Sequence, residues 1–179
     1  MAMAHTTRRW TLEEVHSLPD DGNSYELVHG ELLVTPAPSD RHGNIVAGLT
    51  MLLVPYVAAN GLGFVYHPRS VFRIGKEVEV EPDIMVRPRH PERDGSWETA
   101  PLPLLVVEVL SDSTRRYDQV TKRAVYMDAG IPEYWIVDGE TNTVCVVKPG
   151  LADAVAADRL IWAPAGAVPL EIDLAWAFE

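Results

Sequence analysis

The run Leu104-Leu105-Val106-Val107-Glu108-Val109-Leu110 constrains this chain more than any other stretch. It is apolar on both sides of a period-two alternation, the pattern of a strand covered on both faces. One carboxylate, Glu108, sits inside it. An ionised carboxylate in such a place is costly unless it is paired, hydrogen-bonded or bound to a metal. The sequence therefore predicts an interior strand and a partner for Glu108.

The preceding apolar segment offers that partner. Residues 77–86 read as one strand, with Val78, Val80, Pro82, Ile84 and Val86 on a core face and Glu79, Glu81 and Asp83 on the other. If this strand lies beside that of Glu108, Asp83 and Glu108 converge. Two hard oxygen ligands with open positions for water and substrate suit Mg²⁺ or Mn²⁺. The plainer reading of Asp83 alone is a solvated strand-end aspartate.

A third polar residue falls on a helix. Residues 114–129 read as amphipathic, with Tyr117, Val120, Ala124 and Met127 inward, Ser113 as N-cap and Gly130 just past the end. Lys122 lies two turns in, and Asp118 precedes it by four residues. The pair reads either as a surface ion pair worth ~0.3–0.5 kcal/mol, or as a cation beside the carboxylates. In the second reading Lys122 holds an attacking water or offsets phosphate charge, with Asp118 positioning it.

The combination Pro82-Asp83, Glu108 and Lys122 resembles the PD-(D/E)XK nuclease superfamily. More closely, the chain resembles the Uma family of putative restriction endonucleases. The matching residues are Tyr25-Glu26-Leu27, Gly30-Glu31, Pro36, His42, Glu81-Pro82-Asp83, Val107 to Ser111, Ser113-Thr114, Asp118, Lys122, Tyr126 and Gly130 to Asp138. The superfamily usually places its lysine two residues after the glutamate. Here that position is Leu110, and Lys122 on the following helix is the substitute.

The resemblance implies an α/β (α+β), restriction-endonuclease-like fold: a mixed central sheet flanked by helices, in one domain over residues 1–179. It implies a metal-dependent endonuclease acting on DNA. Asp83 and Glu108 would hold Mg²⁺ or Mn²⁺ with the Val109 carbonyl, and Lys122 would complete the catalytic set. Glu26, Glu31, His42 and Asp118 are auxiliary candidates, Glu26 and His42 each having a plain surface or packing alternative. Homodimerisation is expected for an enzyme that cuts both strands. The rival reading is a catalytically inactive nuclease-like module that binds nucleic acid or protein, motivated by Leu110 and the net charge. A third keeps the metal chemistry with RNA or a small phosphodiester as substrate.

Composition bounds these readings. The net charge is −11, from 26 acids and 15 bases, which argues against a protein that coats nucleic acid broadly. Ten of the fifteen bases fall between Arg69 and Arg123, Arg87, Arg89 and Arg93 among them, so a basic rim around the site is one expectation and ordinary solvated charge the other. Cys145 is the only cysteine, which excludes an internal disulfide and a zinc cluster and fits a cytoplasmic setting. The opening Met-Ala-Met-Ala-His lacks a hydrophobic signal segment, and no unbroken apolar run approaches the ~20 residues of a membrane span.

Elsewhere, Thr11 and Glu14 form a capping box for a short helix, and residues 25–28 and 31–35 a hairpin around His29-Gly30. Ser39 or Asp40 caps a long helix ending at Gly61, with Ile45, Leu49, Leu52, Leu53 and Tyr56 as its core stripe. Residues 63–67 and 70–74 read as strands, 87–103 as a Pro-rich connector, and 133–138 and 143–148 as strands. Residues 149–157 read as a loop, 159–162 as a strand and 170–178 as a segment packing back.

Overall fold

The computed structural model describes residues 8–92 and 95–179. The opening residues and Arg93, named above, lie outside the described residues. The chain forms α1 (Leu12–His16), the hairpin β1 (Ser24–Val28) and β2 (Glu31–Thr35), and the long helix α2 (Asp40–Ala59). Then come β3 (Phe64–Tyr66), β4 (Phe72–Ile74), β5 (Val78–Val80), β6 (Ile84–Arg87) and β7 (Leu105–Val109). A π-helical segment, Tyr117–Lys122, runs into α3 (Arg123–Asp128). The chain closes with β8 (Tyr134–Asp138), β9 (Thr143–Val147), β10 (Ala154–Ala156), β11 (Arg159–Trp162), β12 (Leu170–Asp173) and α4 (Leu174–Ala177).

A six-stranded mixed sheet in the order β10-β9-β8-β7-β6-β3 is the centre of the architecture. Strands β7 and β8 are parallel, while β6 and β9 flank them antiparallel. Along β7, Leu105, Val107 and Val109 enter one core with α2, α4, β11 and β12. Val106 and Leu110 enter a second core with Val78, Val80, Tyr126 and Tyr134. All five residues of β7 are buried, as its two-sided apolar pattern predicts. By alternation Glu108 shares the face of Val106 and so points toward the helical segment that carries Lys122.

The local signals that hold are those with a backbone reason. Thr11 and Glu14 form the capping box. His29 and Gly30 both have positive φ, at 51° and 86°, the requirement of a type I′ hairpin turn. Ser39 Oγ accepts from His42 N and caps α2. Gly130, at φ 79°, ends α3. There Gly130 N donates to Met127 O and Ile131 N to Tyr126 O, the paired bonds of a Schellman motif.

Four expectations are corrected. Residues 77–86 are not one strand: β5 joins the sheet β2-β1-β5-β4, β6 joins the six-stranded sheet, and Glu81-Pro82-Asp83 is the crossing. Pro82 has no N–H to continue a ladder, so the chain changes sheets there. The helix after β7 is not uniformly α. Its π-segment shifts the inward face, so Val120 is 60 % exposed while Asp118 and Lys122 are buried. Ser111, not Ser113, caps its start, accepting from Thr114 N at 3.3 Å. Residues 149–157 contain β10, whose backbone pairs antiparallel with β9. Finally, the 20-residue α2 is long and apolar enough to cross a membrane, at mean hydropathy 1.4, which a search for unbroken apolar runs missed. In this fold its stripe of Ile45, Leu49, Leu53 and Val57 is buried in the first core.

Candidate metal centre

Asp83 lies at the sheet crossing, one residue before the pair Ile84–Val107, which sets it beside Glu108. Its Oδ2 accepts from Val109 N at 2.8 Å and contacts His42 Nε2 at 3.1 Å. His42 arrives from the first turn of α2 and is 12 % exposed in its side chain. Burial lowers its proton affinity, but the hydrogen bond and charge of Asp83, with the Val109 backbone, more than offset this and raise it. His42 therefore orders Asp83.

Glu108 is 3 % exposed. Its Oε1 accepts from Tyr126 OH at 2.6 Å and from Lys122 Nζ at 3.1 Å. Burial pushes its carboxyl well above the ordinary range; Lys122 opposes this, and Asp118, Asp83 and Glu26 add to it. Lys122 is buried too, with Nζ 2.9 Å from Glu26 Oε1 and 3.7 Å from Asp118 Oδ1. Burial alone would discharge this lysine, but Glu108, Glu26 and Asp118 surround it and hold its pKa well above the usual value.

The π-segment makes this possible. It brings Asp118 and Lys122 onto one buried face, and Tyr126 follows four residues later. Burial lifts Asp118 to about 6, against the pull of Lys122. Its Oδ1 is buried without a hydrogen-bond partner among the described residues. Glu26, from β1, is 3 % exposed and also accepts from Glu81 N at 2.6 Å. Its surface alternative is thereby overturned. Glu31 is not brought in: it is exposed at the far end of the hairpin.

Asp83, Glu108, Val109, His42 and Lys122 line a cavity of about 530 Å³. Both hydrogen bonds of Asp83 fall on Oδ2 and both of Glu108 on Oε1, which leaves Oδ1 and Oε2 without partners among the described residues. Such a donor set fits a hard divalent cation that retains most of its water. Among the described residues no group of three or more His, Cys, Asp or Glu converges to hold a metal by side chains alone. A cation here would rest on two carboxylate oxygens, a main-chain carbonyl such as that of Val109, and water.

The cavity is lined by more acid than base. Of the nine described bases between Arg69 and Arg123, only Arg69 and Lys122 line it. Arg73 pairs with Glu79, Arg115 with Asp138 and Glu140, and Arg123 with Asp153. Arg87 is buried with its guanidinium 4.8 Å from the rings of both Tyr66 and Trp97. The expected basic rim is therefore sparse. Sequence reasoning missed Arg41, in the first turn of α2, which lines the cavity and donates to Gly139 O and Asn142 Oδ1 in the β8–β9 turn. It also passed over Tyr126 as a site residue. Its spacing of four from Lys122 was the available signal.

The family model described as Uma2, putative restriction endonuclease, matches residues 12–175. No curated protein matches the chain. Among solved structures, the crystal structure of a putative nuclease belonging to DUF820 from Anabaena variabilis superposes with a TM-score of 0.80 at 22 % identity. That match covers 94 % of this chain and 97 % of the other. The likeness shows a shared fold, and the expected mixed sheet flanked by helices is the fold observed. With the family model spanning almost its full length, the chain belongs to the Uma2 family of putative restriction endonucleases.

Proposed function

We propose that this protein is a Mg²⁺- or Mn²⁺-dependent endonuclease that hydrolyses phosphodiester bonds in DNA. The observation that carries the reading is the pair of oxygens without partners among the described residues, Asp83 Oδ1 and Glu108 Oε2, in side chains that line one cavity, with the Lys122 ammonium 3.1 Å from Glu108. A bound divalent cation would lower the pKa of a coordinated water and polarise the scissile phosphate. The chain's own residues do the rest. His42 and Val109 N fix Asp83, and Tyr126 and Lys122 fix Glu108. Lys122, kept charged by its carboxylates, offsets negative charge on the phosphate or orients the water. Arg69 at the cavity wall supplies a phosphate contact. Two copies acting together would cut both strands, and a reducing, cytoplasmic setting goes with this reading.

The inactive-module alternative draws on Leu110 and on the net charge of −11, and the first of these has a structural answer. That residue is 9 % exposed and packs in the second core, while Lys122 reaches Glu108 from the helix. The test is plasmid nicking in Mg²⁺, in Mn²⁺ and in chelator. Cleavage that requires the metal and disappears in Asp83→Ala supports the proposal. Cleavage by Asp83→Ala equal to the parent's overturns it, and metal-independent binding without turnover moves the assignment to the inactive module.

A further inference from the structure

In the proposed centre Tyr126 touches neither cation nor phosphate and acts only on Glu108. Tyr126 OH donates to Glu108 Oε1 at 2.6 Å, shorter than the 3.1 Å from Lys122 Nζ. The phenol is fully buried. Its ring is wedged at 5.8 Å from Phe72 and 4.9 Å from Tyr134. The same residue's carbonyl accepts from Ile131 N, so the C-terminal cap of α3 also fixes its backbone. A hydroxyl held this way has little freedom to turn from Glu108. A short O–H···O⁻ bond is among the stronger neutral-to-charged contacts.

A carboxylate can rotate about its last bond; a half-turn only exchanges equivalent oxygens, but intermediate angles turn the outer oxygen away from the cavity. With Tyr126 and Lys122 on the same oxygen, rotation would break both bonds at once, and Oε2 stays toward the cavity. Lys122 alone is a weaker determinant of orientation, because its Nζ also lies 2.9 Å from Glu26 and can settle there.

We infer that Tyr126 is a positioning residue for the metal centre: its hydroxyl fixes Glu108 Oε1 and so presents Oε2 to the cation. The inference rests on the metal-site reading of Asp83 and Glu108. Groups that orient ligands in this way cost roughly 10- to 100-fold in metal affinity when removed.

The test is Mn²⁺ binding by calorimetry on the parent, Tyr126→Phe and Tyr134→Phe. Tyr134 is the control: it is equally buried in the same aromatic cluster, but its hydroxyl donates at 3.1 Å to the Asp118 carbonyl instead. Thermal unfolding of all three reports on packing separately. The expected result is a Kd raised roughly 10- to 100-fold in Tyr126→Phe, with Tyr134→Phe close to the parent. Equal affinity in parent and Tyr126→Phe overturns the positioning role and leaves the metal site standing. Equal loss in both variants also overturns it, since packing alone would then explain the effect. A parent that binds no Mn²⁺ overturns the metal-site reading and this inference together.

Discussion

Glu108 and Glu133 are both buried carboxylates at the parallel pair β7–β8, 3 % and 4 % exposed, yet their surroundings differ in one respect. Glu133 is closed. Its Oε1 accepts from the Trp135 indole at 2.7 Å, and its Oε2 meets Lys148 Nζ at 2.9 Å. Glu79 is closed in the same way, with His16 on one oxygen and Arg73 on the other. Glu108 is half open: two donors crowd one oxygen, and the second faces the cavity without a partner among the described residues. Asp83 repeats that arrangement. Burial alone does not separate a ligand from a structural ion pair. The distribution of donors between the two carboxylate oxygens does, and by it Glu26, with both donors on Oε1 in the same cavity, stands with Glu108 and Asp83.

The largest effect is expected from the cation between the half-open groups. Lys122→Met leaves Glu26, Glu108 and Asp118 buried without their shared charge, a loss of about 3–5 kcal/mol for a broken buried pair. On this account Mn²⁺ restores positive charge at the same place, so it should raise the Tm of Lys122→Met more than that of the parent. Equal shifts on thermal unfolding would contradict the account.

Breaking the closed carboxylate costs less. Glu133→Ala strands the Trp135 N–H, for about 1–3 kcal/mol. Lys148 loses its partner too, but at 37 % side-chain exposure it can turn to water. Denaturant unfolding should show this loss while Mn²⁺ affinity stays at the parent level. A large drop in affinity would mean that the two carboxylates are not functionally separate.

The smallest effect is a pH dependence. Burial lifts Asp118 from the ordinary aspartate range to about 6, so the folded protein holds this proton more tightly than the unfolded chain. Its contribution to stability is full below the unfolded value and is lost as pH rises through about 6. Without metal, the parent's Tm should fall between about pH 4 and pH 6 by roughly 2–4 °C for each kcal/mol lost. Asp118→Asn should flatten that slope. An unchanged slope would place the titration elsewhere in the cluster.

Much of this arrangement was legible in the sequence where one residue had no satisfactory neighbour in its own segment. Glu108 in an apolar run demanded a partner, and the chain supplies Lys122 and Tyr126. Turns and caps were legible because specific backbone torsions demand specific residues, as at His29-Gly30 and Gly130. What failed were patterns assumed to continue. The alternation from Val78 to Val86 is unbroken in sequence, but β5 and β6 belong to different sheets. A 3.6-residue period turned Val120 inward, whereas the π-segment turns it outward and buries Lys122. The basic cluster was real in sequence, yet its members pair with acids from distant segments, as Arg123 does with Asp153. No local pattern encodes such long-range pairing.

The most direct test of the distinction between open and closed carboxylates is one calorimetric titration of Mn²⁺ into the parent, Glu108→Ala and Glu133→Ala. The account predicts binding by the parent, none by Glu108→Ala, and parent-like binding by Glu133→Ala. Binding by Glu108→Ala equal to that of the parent would contradict it, and Glu108 would then be a second structural carboxylate paired to Lys122.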